Sequence, residues 1–106
     1  MPDPIRLPPQ PDVCELCQRA AALTRHHLIP KALHDKAYVQ KRFSKQHCIS
    51  ATLWVCRACH NQIHRLFSEK QLALTYHSRE ALLTDERLRT FVEWLATKPA
   101  GFMPRH

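Results

Sequence analysis

The chain predicts a small α+β domain stabilised by metal, and three observations point to it. Cys14 with Cys17 and Cys56 with Cys59 form two Cys-x-x-C pairs within 106 residues. Residues 23–29 and 49–55 are short runs rich in β-branched and aromatic side chains, bounded by turn formers, and read as strands. Downstream of the second pair, apolar residues recur at helical spacing. A chain this short buries a modest core, so a bound ion supplies stability that packing alone does not.

Taken in order, residues 1–12 hold five of the eight prolines and read as an extended arm. The domain is expected over 13–98, with the cysteine pairs and the strand–helix motif in 13–67, helices in 68–98 and a tail at 99–106. Cys14 to Cys17 makes a tight knuckle, and the first strand stops at Pro30. An insertion is expected to loop out between the two knuckles, and residues 31–47 lie in that interval. They set Lys31, Lys36, Lys41, Arg42 and Lys45 against one acid, Asp35, and so hold more than half of the net charge of +7. This stretch is either a solvated loop or a phosphate clamp, with Lys31, Lys41, Arg42 and Lys45 as the candidate nucleic-acid contacts.

After the second strand a helix is expected to start near Cys59, carrying His60, Ile63, His64 and Phe67. Ser68 followed by Gln71 has the form of a capping box, which opens a new helix running to about Tyr76. Leu88, Phe91, Val92 and Leu95 fall at i, i+3, i+4 and i+7, an amphipathic helix that ends at Lys98-Pro99-Ala100-Gly101.

Composition narrows the function. A single glycine leaves no glycine-rich phosphate loop and no dinucleotide fingerprint. The basic balance attracts polyanions, of which nucleic acid is the commonest. No apolar run is long enough to span a bilayer, and the opening residues lack the apolar core of a secretion signal. The expected location is cytoplasmic, with no membrane partner, where cysteines stay reduced and free to bind metal.

Four thiolates from Cys14, Cys17, Cys56 and Cys59 complete a tetrahedral structural zinc site, leaving Cys48 as a free thiol. Cys14, Cys17, His60 and His64 also satisfy a Cys₂His₂ pattern, although that choice idles a complete knuckle. His60 and His64 lie i and i+4 on a helix and project from one face. His26 and His27 are adjacent on a strand and point to opposite sides, so one can hold metal while the other addresses a water. His34, His47, His77 and His106 read as surface histidines.

Arg25-His26-His27-Leu28-Ile29-Pro30 followed by Cys56-Arg57-Ala58-Cys59-His60-Asn61-Gln62-Ile63-His64 resembles the HNH endonuclease family in its zinc-knuckle form, over about residues 14–67. The resemblance implies a ββα-metal core around one catalytic divalent ion, a separate structural zinc on the four cysteines, and additional C-terminal helices outside the motif. It assigns His27 as the general base and His26, His60 and His64 as ligands of the catalytic ion. Three imidazoles suit zinc, nickel, cobalt or manganese better than magnesium. The implied activity is hydrolysis of phosphodiester bonds in DNA, with RNA not excluded. One centre cuts one strand per event, so double-strand cleavage calls for a homodimer or for two visits.

The family usually places an asparagine in the strand before the second knuckle. Here Ser50-Ala51-Thr52-Leu53-Trp54-Val55 has none, which leaves Thr52 or Ser50 to brace the loop of the base. Two other readings stand beside the nuclease: a zinc-stabilised DNA-binding module without catalysis, and an interaction domain that presents the helical face of 68–97.

Overall fold

In the computed structural model, which describes residues 9–105, two strands and six helices surround the cysteine pairs. Strand β1 (Leu23–His27) pairs antiparallel with β2 (Thr52–Cys56), in the register Leu23 with Cys56, Arg25 with Trp54 and His27 with Thr52. Alternation along β1 puts Thr24 and His26 on one face and Arg25 and His27 on the other. Helix α3 (Arg57–Leu66) follows β2 without a linker and packs on both strands. It begins two residues earlier than its sequence suggests, because Cys56 takes extended backbone as the N-cap residue.

Both strands are shorter than expected. The Leu28 amide still donates to the Ala51 carbonyl, but Ile29 then turns inward and Pro30 has no donor to extend the ladder. Ile49 and Ser50, expected at the start of the second strand, end helix α2 (Lys45–Ser50) instead. The Ser44 hydroxyl accepts from the His47 amide at 3.0 Å and nucleates that helix.

Residues 31–47 are therefore not a loop. They form a 3₁₀ turn (Lys31–Leu33), helix α1 (Ala37–Gln40) and the start of α2. A small second core of Ile29, Val39, Cys48 and Ala73, flanked by Leu33, Tyr38 and Phe43, holds them in place. Cys48 is one of its buried members.

The capping box forms as expected: Ser68 Oγ accepts from the Gln71 amide, and Gln71 Oε1 accepts from the Ser68 amide at 2.8 Å. Its helix, α4 (Glu69–Leu74), stops short of Tyr76. A short helix that the sequence did not signal, α5 (Arg79–Leu82), is capped by Ser78. Helix α6 (Glu86–Leu95) buries Leu88, Val92 and Leu95, leaves Phe91 half-buried, and ends before Lys98. Asp85 caps it by accepting from the Arg87 and Leu88 amides.

The main core joins Leu53, Val55, Ile63, Leu72, Leu82, Leu88 and Leu95 to the four knuckle cysteines. Among the described residues no helix is long and apolar enough to cross a membrane. Residues 1–8 of the proline-rich arm, and His106, lie outside the described residues.

Candidate metal centres

Cys14, Cys17, Cys56 and Cys59 are all buried, and their sulfurs lie within 4.8 Å of one another. The first knuckle closes through Gln18, whose φ of 65° is the one positive value off glycine among the described residues. That bend brings the Arg19 carbonyl back to accept from the Cys14 amide at 3.0 Å, and within the turn the Leu16 and Cys17 amides donate to Cys14 Sγ, each at 3.4 Å. The second knuckle is the first turn of α3, so Cys56 sits at the positive end of a helix dipole.

Crowding drives the thiol acidities apart. Hydrogen bonding from the Cys14 and Cys59 thiols pulls Cys56 far below the usual cysteine value. Hydrogen bonds with Cys14 and Cys56, together with burial, push Cys59 far above it. Four such thiols cannot all ionise unaided. A divalent cation at their centre allows it, and the donor set suits one. The cluster is a site that can hold a structural metal ion.

Arg19, which the sequence did not single out, completes this centre. Its side chain is buried and donates to Cys17 Sγ at 3.4 Å and to Cys56 Sγ at 3.5 Å. The remaining guanidinium nitrogen bridges the carbonyls of Pro99 and Phe102 at 2.7 and 3.0 Å. One cation thus faces the sulfur cluster and pins the chain beyond α6.

A second cluster lies where β1 meets α3. The ligand nitrogens of His26, His60 and His64 fall within 4.8 Å of one another. The His26 ring is 5.3 Å from each of the other two, and theirs are 5.0 Å apart. The alternative set of Cys14, Cys17, His60 and His64 is not brought together, because His60 and His64 point across the helix to His26. Burial pushes the His26 pKa down to about 3, with His60, His64 and His27 adding charge repulsion. Both of its ring nitrogens are buried without a hydrogen-bond partner among the described residues.

Thr24 fixes the tautomer of His60. Its hydroxyl donates to the Val55 carbonyl at 3.0 Å, so it accepts from His60 Nδ1 at 2.8 Å. That leaves the Nε2 lone pair of His60 free to bind an ion. Burial is also the main cause that lowers the His60 pKa, ahead of repulsion from His64.

His27 does not join the triad, but it lines the same cleft, a space of about 280 Å³ shared with Arg25, Pro30, Lys31 and Glu69. Partial burial, then Arg25, His34 and Lys31, hold it below the ordinary imidazole value. Of the two candidates for bracing its loop, Ser50 Oγ is committed to the Gln46 carbonyl at 2.8 Å. Thr52 Oγ1 is buried opposite His27 in the ladder and has no partner among the described residues. His34, set aside as a surface histidine, is bonded through Nε2 to the Ile29 carbonyl at 2.7 Å, and its ring is 6.2 Å from that of His27. Lys31 reaches the histidine cleft, Lys45 lines a neighbouring cavity, and Lys41 and Arg42 are exposed and line neither.

Fold and clusters together define a small α+β domain with a two-stranded sheet and a four-cysteine centre. The chain is 33% identical over 88 residues to the uncharacterized protein YisB of Bacillus subtilis (strain 168), across 82% of this chain and 76% of that protein. It belongs to the same family as YisB. No family model and no solved structure matches the chain.

Proposed function

We propose that the protein is a metal-dependent HNH-type endonuclease that hydrolyses phosphodiester bonds in DNA, with β1, β2 and α3 as its ββα-metal core. One observation carries this reading: the buried, neutral His26 imidazole, with no hydrogen-bond partner on either nitrogen among the described residues, faces His60 and His64 at the joint of strand and helix. An unsatisfied buried polar group costs about 1–3 kcal/mol, and ligation of a cation removes that cost. Three imidazoles and no thiolate suit an exchangeable divalent ion, whereas the four thiolates suit a resident structural zinc.

When bound, such an ion supplies Lewis-acid stabilisation to the charge that builds on phosphate and leaving oxygens. His26, His60 and His64 would hold it. His27, next along β1 but facing the other way, is free to accept a proton from a water lined up on phosphorus. A pKa held below the ordinary imidazole value leaves the ring unprotonated, and so able to accept a proton, at neutral pH. Lys31 beside it draws the phosphate in. The missing asparagine favours a second reading, a zinc-stabilised DNA-binding module without catalysis.

Nicking of supercoiled plasmid across several divalent ions, with metal analysis, separates the two. The nuclease reading expects one tightly held zinc, one exchangeable ion, and cleavage abolished by chelator. His27→Ala should keep both metals while its rate falls by about 10²–10⁴; His26→Ala should lose the exchangeable one. Only the neutral imidazole accepts a proton. Cleavage should therefore rise as pH climbs through an apparent pKa below the ordinary histidine value, and be full by neutral pH. A His27→Ala protein that cuts at the parent rate overturns the mechanism.

A further inference from the structure

We propose that the cavity adjoining the histidine cleft binds one unpaired nucleobase of the strand whose phosphate enters that cleft. The substrate is then single-stranded or carries an unpaired nucleotide at the cut. This rests on the nuclease reading for what lies next door, but binding alone tests it.

The cavity, open to solvent on one side, offers about 630 Å³ between the 3₁₀ turn, the end of α1 and α2, within the range that holds small organic ligands, about 300–1,000 Å³. Lys31 lines both spaces, and the His27 and His34 rings, one in each, are 6.2 Å apart. A group seated in one is thus a near neighbour of a group seated in the other. Phe43 and Ile49 give the second space an apolar wall. Asp35 accepts hydrogen bonds, and Gln40 both donates and accepts, which matches the amine and carbonyl edge of a base. Lys31 and Lys45 lie along it, neither with a carboxylate in ion-pair range among the described residues.

A flat apolar face, a mixed polar edge and flanking anionic phosphates occur together in a nucleotide. A base inside a duplex is stacked and paired and cannot enter without being extruded, which costs free energy. The pocket therefore selects strands whose bases are already free.

Fluorescence anisotropy on the metal-loaded protein tests this with four probes: a labelled DNA strand, its duplex, the same strand with abasic sites, and the matching RNA strand. The DNA or RNA strand should bind about tenfold or more tightly than the duplex, and abasic sites should remove the advantage. Whichever strand binds better names the sugar. Gln40→Trp fills the cavity from an exposed position and should erase the preference. Lys45→Glu, also exposed, should weaken strand binding should the tryptophan not fold. Equal binding of strand and duplex, or a folded Gln40→Trp that keeps the full preference, overturns the proposal. Strand preference in a protein that cuts neither the DNA strand, the RNA strand nor the plasmid removes the nuclease reading and keeps this one; cutting without strand preference does the reverse.

Discussion

Replacing Arg19 with methionine keeps much of the buried stem and removes the charged fork. The structure gives the size of the effect. Two contacts to sulfur and two to carbonyls are lost together, inside a side chain only 6% exposed. Hydrogen bonds from a charged donor contribute about 1.5–3 kcal/mol each, and leaving one partner of a buried charge pair unmatched costs about 3–5 kcal/mol. These overlap, so we expect a net loss of about 3–5 kcal/mol, a large share of the roughly 5–15 kcal/mol typical of a domain. At about 4–8 °C per kcal/mol for a domain of this size, Tm should fall by more than about 12 °C. Arg19 also favours the ionised Cys56 sulfur, so its removal should raise the pH at which acid releases the metal. Thermal unfolding of the metal-loaded protein, paired with a chromogenic chelator titrated against pH, reads both quantities. A Tm within a few degrees of the parent and an unchanged release pH would refute the reasoning; Arg19→Lys, which keeps charge without the fork, should fall between.

Three further expectations follow from the same geometry. Cys59→Ser should lose the tight metal and the fold, whereas His60→Ala and His64→Ala should keep the tight metal; loss of tight metal in either histidine variant would revive the Cys₂His₂ assignment. On the proposed nuclease reading, His34→Ala, which frees the Ile29 carbonyl, should lower the single-turnover cleavage rate with metal affinity unchanged, and His34→Gln should restore part of it; an equal loss of metal would show a general collapse instead. Asp85→Ala removes the cap of α6 and should cost about 0.5–2 kcal/mol by thermal melt, with both metal contents intact.

What the sequence disclosed and what it hid divide by range. The capping box at Ser68 and the stripe through Leu88, Val92 and Leu95 were legible because residues three and four apart decide them. The pairing of the two knuckles was legible from ligand chemistry, since four soft donors have few other uses in so small a chain. Ile49 misled because a β-branched residue ahead of Thr52 looks like strand, while the weaker local signal, the Ser44 cap, set the helix. Arg19 was beyond reach: its acceptors at Pro99 and Phe102 lie at the far end of the chain and meet it only after folding. His34 and Thr24 were hidden for the same reason, because each matters only through the backbone group or ring that tertiary packing delivers to it.

Cys59 and His60 are neighbours on α3, which turns as a single shaft. Each residue advances a helix by about 100°, so a slip of one residue at the knuckle would swing His60 and His64 together away from His26. The sulfur cluster therefore keys the rotational phase of the shaft, and the histidines inherit their aim from it. An ion seated among the cysteines would thereby set the aim of the three histidines without touching them.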